Sequence, residues 1–322
     1  MADTEDPAQR LNDLLDRQER RIATIFRTAV SALKDEIDLD ELSDLIAAGR
    51  LNEALEKLQH VAEQLGSASN VAFVTSGQST SEFIVAANVG RIVFDQVNVR
   101  AVAAMQANRL TMVREFTDEQ RRATSAALVG GVEAGINPVA QARNFRDSIG
   151  LTERQWGHVA SYREALQRVG SDQGSQLDAL QRALRDGRGD AQIRRAIKAG
   201  KPLPQAKIDW LVERYTARYV KYRAEVIGRT EALRAVHQGN EEAYQQAIDA
   251  GTVDASDLER TWITRLDGRE RSTHLKLNGQ KRAWGQVWKT DNGELKYPGD
   301  PDAPAVETIQ CRCAIATRIK SR

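Results

Sequence analysis

The chain has little cysteine: two residues in 322, Cys311 and Cys313. Two cysteines cannot build the disulfide framework of a small secreted protein, so we expect assembly in a reducing cytosol. The sequence also lacks a run of about twenty apolar residues, so we expect no membrane-spanning helix. Its first residues are acidic and polar, which argues against a secretory signal.

Aromatic residues are scarce as well, at 5%, while 28% of the residues are charged. This composition favours helices with one apolar stripe over a thick sheet core. We therefore predict a mainly α fold, in which extended N-terminal helical segments and a helical region precede a small C-terminal α+β module. The predicted divisions are an acidic helical arm over 1–66, a helical region with linkers over 67–204, and the α+β module over 205–322.

Apolar residues at three- and four-residue steps predict one long helix over 8–38. Asp38 or Asp40 is predicted to cap a second short helix that Gly49 ends, and a third segment runs from Leu51 to Gly66. The apolar stripes of this arm are narrow. We therefore expect the arm to pack on a partner or on its own copies.

The middle of the chain carries several local signals. Small polar residues predict a linker or loop over 66–81, in which residues 71–74 could form a short strand, and residues 90–95 are β-prone. Helical spacing returns over 99–112. Two capping boxes begin at Thr117 and Thr152, and Asn137 before Pro138 predicts another helix start. A basic helix is expected around Ile193.

Past Pro204 the spacing predicts a long helix, interrupted at Gly228, whose aromatic stripe either packs on neighbouring helices or stacks on bases. A strand is predicted at 261–264. Asn-Gly pairs at 278–279 and 292–293 predict hairpins, and residues 311–317 predict a closing strand.

On such a strand the two cysteines share one face, with Cα atoms about 6.6 Å apart. Two thiolates beside an imidazole suit a soft divalent metal such as zinc. Two alternatives stay open. The cysteines could pack as small apolar residues in a minor core, or they could serve a redox role.

Charge is distributed unevenly although the net charge is only +1. Residues 1–65 hold 8 basic and 15 acidic side chains, whereas residues 182–234 hold 14 basic and 6 acidic ones, and residues 260–322 hold 13 and 7. This pattern predicts an acidic arm for a protein partner and a basic half near phosphates, unless the charges are only solvated helix faces. The candidate nucleic-acid contacts are Arg194, Arg195, Lys198 and Lys201.

One ordered series of residues resembles the phage Mu F-like head-morphogenesis family, the minor head proteins of tailed bacteriophages. The resemblance covers roughly residues 117–317 and is dense only after Arg229. Gln310 departs from it, because the family typically has asparagine there. The series is Arg229, Thr230, Glu231, Asn240, Trp262, Asp267, Arg269, Arg271, His274, Leu277, Asn278, Gly279, Tyr297, Pro298, Gly299, Asp300, Pro301, Gln310, Cys311, Arg312 and Cys313.

The resemblance implies a virion protein that is assembled in the host cytoplasm and lies in the head interior or at the portal region. Its expected partners are the portal protein, the major capsid protein and packaged double-stranded DNA, which it would bind without sequence preference. Several copies per head are expected, and no membrane is involved.

The resemblance also gives residues to test. His274, Cys311 and Cys313 are candidate zinc ligands, with Asp267 or water as the fourth. Arg269 and Arg271 alternate with Asp267 on one predicted strand face, which favours a ladder of ion pairs over phosphate contacts. Arg229 and Glu231 are expected to serve structure, with Glu231 in a buried pair that holds helix to sheet. The structural polar set is therefore Arg229, Glu231, Arg269 and Arg271.

No catalytic residue is predicted. His274 is the sole histidine of the tail, and neither a glycine-rich phosphate loop nor a nucleophile elbow is present in the sequence. The alternatives are a metal-dependent nuclease and a DNA-binding protein, as a regulator or without sequence preference. Nicking of DNA with added Mg²⁺ or Mn²⁺ would distinguish the nuclease.

Overall fold

A computed structural model describes residues 6–48, 50, 53, 59–87, 89–133 and 135–320. Helices dominate up to residue 249, and a small antiparallel sheet follows, which confirms the mainly α fold with a C-terminal α+β module. The long helices are α1 (Pro7–Glu36), α2 (Leu39–Ala47), α3 (Gln59–Ala86), α4 (Val99–Glu133), α5 (Pro138–Ser148), α6 (Glu153–Gln167), α7 (Gln173–Gln181), α8 (Asp190–Ala199) and α9 (Gln205–Asp249).

The C-terminal part contains β1 (Leu258–Ile263), α10 (Ser272–Leu275), β2 (Lys281–Ala283), β3 (Trp288–Thr290), β4 (Gly293–Leu295), α11 (Ala305–Thr308) and β5 (Ala314–Ile319). Strand β1 is central and pairs antiparallel with both β2 and β5. Strands β3 and β4 form a separate hairpin in which Thr290 pairs with Gly293, which confirms the hairpin predicted at Asn292 and Gly293.

Tertiary contacts divide the described residues into two compact units. The first combines residues from 1–26, 63–113 and 225–322, and the second combines 27–62 and 114–224. Both units are discontinuous in sequence, whereas the predicted division was into three consecutive stretches. Of the third arm segment, residues 51, 52 and 54–58 lie outside the described part, as does Gly49. No described helix is long and apolar enough to cross a bilayer.

The apolar stripe of α1 is buried within the chain itself. Leu11, Leu14, Ile22 and Phe26 are all at most 2% exposed. In the first unit, Glu19 of α1 pairs with Arg229 of α9 at 2.6 Å. The expectation that the arm packs on a partner is therefore wrong for α1, because the later helices of the same chain cover its narrow stripe.

The predicted linker over 66–81 is wrong, and so is the strand at 71–74, because both lie inside helix α3. The small residues serve close packing against α9. Ser76 Oγ donates to the carbonyl of Val236 at 2.6 Å, and Asn240 Nδ2 donates to Thr80 Oγ1 at 2.8 Å. A Cβ at Gly239 would lie 2.2 Å from the carbonyl oxygen of Phe73. A composition typical of linkers here marks a tight helix–helix contact.

Three predicted helix starts are confirmed. Asp38 accepts from two backbone amides of α2, Asn137 caps α5, and Thr152 forms the full capping box of α6. The box at Thr117 is wrong, because this buried residue lies in the middle of α4. The residues before it continue the helical pattern, and helix propagation is easier than a new start.

Helix α9 runs without a break through Gly228, where an interruption was predicted. A Cβ at Gly228 would lie 2.6 Å from the carbonyl oxygen of Glu19, so the glycine admits α1 rather than ending the helix. In the second unit, Tyr215 of α9 packs on Tyr162 with ring centroids 4.5 Å apart. The aromatic stripe therefore packs on neighbouring helices up to Tyr219, while Tyr222 is 46% exposed.

Two predictions for the tail need correction. Asn278 and Gly279 form a turn after α10, where the Gly279 amide donates to the Trp262 carbonyl at 2.8 Å, rather than a hairpin. The closing strand begins at Ala314, where pairing with Ile263 starts. Cys311 and Cys313 therefore precede the strand and do not lie within it.

Candidate metal centre

The two cysteines lie in the short segment between α11 and β5. Gln310, directly before them, has a φ of +57°, which turns the chain there. Its amide donates to Thr230 Oγ1 of α9 at 3.2 Å. A left-handed backbone suits asparagine better than glutamine.

His274 of α10 faces both sulfur atoms. Its Nδ1 lies 3.4 Å from Cys311 Sγ and 3.4 Å from Cys313 Sγ, and the donor atoms of the three residues all lie within 4.8 Å of one another. A tetrahedral zinc ion would hold nitrogen and sulfur about 3.6 Å apart. All three residues are at most 2% exposed. The predicted convergence is therefore present, although the cysteines precede the closing strand rather than lie on it.

The opposite edge of the imidazole contacts a buried carboxylate that is not among the predicted site residues. His274 Nε2 lies 2.8 Å from Glu307 Oε2, although the ring is not aligned for a regular hydrogen bond. Asn292 Nδ2 and Thr273 Oγ1 donate to the same carboxylate at 2.7 and 3.1 Å. Burial raises the pKa of Glu307, but hydrogen bonds from Asn292, Thr290 and Thr273 outweigh it, and the net direction is downward.

A charged Glu307 favours a proton on Nε2, and in that tautomer Nδ1 can offer its lone pair to an ion held between the sulfurs. Carboxylate–histidine pairs of this kind orient the histidine ligands of metal sites. No local sequence signal could have found Glu307, because it lies 33 positions after His274 (307 − 274) and only the fold brings the two together.

The two thiols hold their protons unequally. A hydrogen bond from Cys311, helped by His274 and Thr264, lowers the pKa of Cys313 to about 5 against the opposing effect of burial. The pKa of Cys311 is raised, first by its hydrogen bond to Cys313 and then by burial. The lowered pKa of Cys313 favours loss of its proton, and a bound cation would compete with the protons of both thiols.

Asp267 lies outside this cluster. Its Oδ2 pairs with Arg312 at 3.0 Å, so its proposed place as fourth ligand is not what the structure shows. In the described part of the chain, three residues form the group that could hold an ion. Thr264 Oγ1 is nearby, 3.7 Å from Cys313 Sγ. Water remains the candidate for a fourth position.

The predicted ladder of Asp267, Arg269 and Arg271 is wrong, because residues 264–271 form a loop rather than a strand. Asp267 Oδ1 accepts from the Arg269 backbone amide at 3.3 Å and closes a tight turn. The Arg271 guanidinium instead donates to the carbonyl of Ile309. This contact ties the loop before α10 to the segment that leads into the cysteines.

The other two residues of the structural polar set, Arg229 and Glu231, are partly as predicted. Arg229 binds Glu19 through two nitrogens, at 2.6 and 3.2 Å. Glu231 is buried and pairs with Arg234 at 3.4 Å, one turn along the same helix. The arginine partner of Glu231 is confirmed, but this pair lies within α9 and does not connect the helix to the sheet.

A buried arginine stabilises the other side of the sheet and was also missed. The Arg260 guanidinium lies over the rings of Trp284 and Trp288, 5.3 and 4.8 Å from their centroids. It donates to Glu241 at 2.5 Å and to the Lys296 carbonyl at 2.8 Å. Despite this cation, burial raises the pKa of Glu241 to about 7. Side chains along β1 alternate between the two faces of the sheet. Only the fold shows that the face carrying Arg260 is buried.

The four predicted nucleic-acid contacts are all exposed. Arg194, Arg195 and Lys198 lie on α8, and Lys201 follows that helix. Arg194 is 3.9 Å from Asp190, a long ion pair that leaves the arginine side chain 67% exposed. The structure brings these cations to one helix and its end, where they are available to solvent.

The arrangement of thiolate, imidazole and carboxylate allows two chemistries. A Cys–His–Glu series can act as a nucleophile and base, but a substrate must reach the sulfur. The sulfurs here are sealed from solvent. A buried set of two thiolates and one oriented imidazole instead has the donor chemistry of a zinc site.

Residues 176–316, which include the whole cluster, match the family described as Phage Mu protein F like protein. No curated protein and no solved structure matches. The match indicates a bacteriophage head-related protein. Over these residues the chain is similar to the phage Mu protein F-like family, which confirms the predicted resemblance.

Proposed function

We propose that the chain is a minor head protein that acts in head morphogenesis. The family match carries this proposal. In this proposal, several copies of the chain associate with the portal and the major capsid protein in the head interior or at the portal region. The protein assembles in the host cytoplasm and becomes part of the virion.

A co-assembly experiment tests this function. The chain is expressed with the portal and major capsid proteins of the same phage, and portal is captured at increasing salt. We expect the chain to co-purify with portal, and we expect a phage lacking its gene to yield no infectious heads until the gene is supplied in trans. Full infectivity without the gene would overturn the proposal.

The C-terminal module is proposed to hold one zinc ion through His274, Cys311 and Cys313. The support is the convergence of three donor atoms at about the spacing that zinc imposes, together with Glu307 behind the imidazole. In a module with so small a core, metal binding would contribute directly to folding. The role is structural, because the cluster is buried.

Elemental analysis of purified protein tests the metal. We expect one zinc per chain in the unchanged protein and its loss in Cys311→Ser and in His274→Ala. Asp267→Ala is the matched control, because Asp267 lies outside the cluster, and it should keep the ion. Sub-stoichiometric zinc in the unchanged protein would reject the site without affecting the head assignment.

A second part of the proposal is contact with packaged double-stranded DNA without sequence preference. The exposed cations of α8 and Lys201 support it, because clustered Lys and Arg neutralise phosphates and release counterions. We propose no catalytic role. The support is burial: in the described residues, the cysteine–histidine–glutamate series is closed to a substrate.

A further inference from the structure

The connection between α3 and α4 contains a segment with the residue pattern of a strand, but no described strand pairs with it. Residues 90–95 read Gly-Arg-Ile-Val-Phe-Asp, rich in the β-branched and aromatic residues that favour sheets. Side-chain burial alternates along it as in a strand: Phe94 is buried and Ile92 packs on the core near Tyr244, while Val93 is 88% exposed. The segment has the residue pattern of a strand, yet it belongs to neither of the two sheets in the described part of the chain.

One edge of this segment is already covered. The Asp95 amide donates to Gln246 Oε1 at 2.8 Å, and Gln246 Nε2 donates to the Asp95 carbonyl at 3.0 Å. Successive residues of an extended chain direct their amides and carbonyls to opposite edges. The other edge therefore carries the backbone groups of Ile92 and Phe94, for which the described residues provide no hydrogen-bond partner.

The side chains around Val93 are self-complementary. Arg91 lies two residues before it and Asp95 two residues after it, and both are exposed. Two copies that pair antiparallel about Val93 would place each Arg91 opposite an Asp95 and Val93 opposite Val93. Opposite charges across a pair stabilise a sheet, and a twofold axis makes such a contact self-complementary.

We infer that residues 91–95 are an edge strand that pairs with the same segment of a second copy of this chain, antiparallel and centred on Val93. Ile92 of one copy exchanges two backbone hydrogen bonds with Phe94 of the other, and the symmetric pair exchanges two more. Val93 meets Val93 at the close, non-hydrogen-bonded position, where Cα atoms lie about 4.5 Å apart. This inference depends neither on the metal nor on the DNA contact.

A charge-swap series in the full-length protein tests the pairing by sedimentation over a range of concentrations. We expect a concentration-dependent dimer whose dissociation constant rises about tenfold in Arg91→Asp or in Asp95→Arg, because two opposite-charge pairs become like-charge pairs. The double variant should restore the dimer, and so should a mixture of the two single variants. Glu82→Arg, an exposed charge on α3, is the control that should change nothing.

Cross-linking fixes the register. The Val93→Cys variant should form an intermolecular disulfide with an added oxidant, since the Cα spacing of this pair lies within disulfide range. The Val97→Cys variant, changed at a residue that is 74% exposed, should cross-link much more slowly. A monomer at every concentration, a dimer that the double swap fails to restore, or equal cross-linking at both positions would each overturn the inference.

Discussion

The carboxylate of Glu307 lies 2.8 Å from Nε2 of His274, and both side chains are buried. This contact places a negative charge beside Nε2, while Nδ1 faces the two sulfurs. We expect Glu307→Gln to weaken zinc binding by about 10- to 100-fold, the usual cost of losing such a partner. Competition with a chromophoric chelator measures the affinity.

The control for this variant is Glu294→Gln, which removes an equally sized charge from an exposed pair with Lys289. It should leave the zinc affinity unchanged. Circular dichroism at saturating zinc shows whether Glu307→Gln still folds. An unchanged affinity in a folded Glu307→Gln protein would mean that the carboxylate does not orient the ring.

At Gly228 we expect alanine to change the free energy of unfolding in the direction opposite to that expected from helix propensity. Alanine in a helix normally stabilises relative to glycine by about 1 kcal/mol. At Gly228, however, a Cβ would lie 2.6 Å from the Glu19 carbonyl oxygen. We expect Gly228→Ala to lower the free energy of unfolding by about 1–3 kcal/mol, because α1 must move away.

Gly157 is the matched control, because it lies within α6 and a Cβ there would meet nothing within 4 Å. Gly157→Ala should stabilise the protein by about 0.5–1 kcal/mol. Urea denaturation compares the two variants with the unchanged protein. Stabilisation by both substitutions would show that α1 and α9 are not in close contact at Gly228.

The sequence predicted those features that depend on local signals. The caps at Asp38, Asn137 and Thr152 are confirmed because a cap is formed within three residues of the chain. The linker over 66–81 failed because small polar residues serve a turn and a close helix contact equally well. Only the position of α9, distant in sequence, decides between them.

The candidate site shows the same division. His274, Cys311 and Cys313 were predicted to converge, but through a strand that does not include the cysteines. Glu307 was missed because its role exists only once α10 and α11 are placed together. The ligand set could be read from residue types, whereas the contacts that orient the ligands required the fold.

Gln310 carries the one positive φ of a non-glycine residue in the described part of the chain. Its contact with Thr230 uses the backbone amide, which any residue retains. We expect Gln310→Asn to raise the melting temperature modestly, equivalent to about 0.5–1 kcal/mol, because asparagine adopts this conformation more readily. Gln310→Val should do the reverse. Equal melting temperatures for all three proteins would contradict the assigned strain.

The basic set on and after α8 makes a prediction about salt. We expect replacement of Arg194, Arg195, Lys198 and Lys201 by glutamine to weaken double-stranded DNA binding for every sequence tested. The slope of log affinity against log salt should fall by about 1 for each phosphate that the variant no longer neutralises. Lys276→Gln with Lys289→Gln, two exposed lysines already paired with acids, is the control. An unchanged slope in the first variant would remove this helix from the DNA contact.

His237 makes stability depend on pH. It is 1% exposed, and burial, helped by the nearby Arg260 cation, lowers its pKa from 6.5 to about 4 against the raising effect of the Leu233 carbonyl. Because the folded-state pKa is depressed, the unfolded chain binds the proton first as the pH falls. The stabilisation is therefore complete above about pH 6.5 and is lost as the pH falls through about 4, a total of about 3 kcal/mol.

His237→Phe keeps a ring against Tyr297, whose centroid lies 6.2 Å away, but cannot take up a proton. Urea denaturation at pH 7 and pH 4.5 should show a smaller loss of stability in this variant than in the unchanged protein. Protonation of the cysteines and carboxylates affects both proteins alike, so the difference between them isolates His237. Equal losses in the two proteins would mean that His237 is not held neutral by the fold.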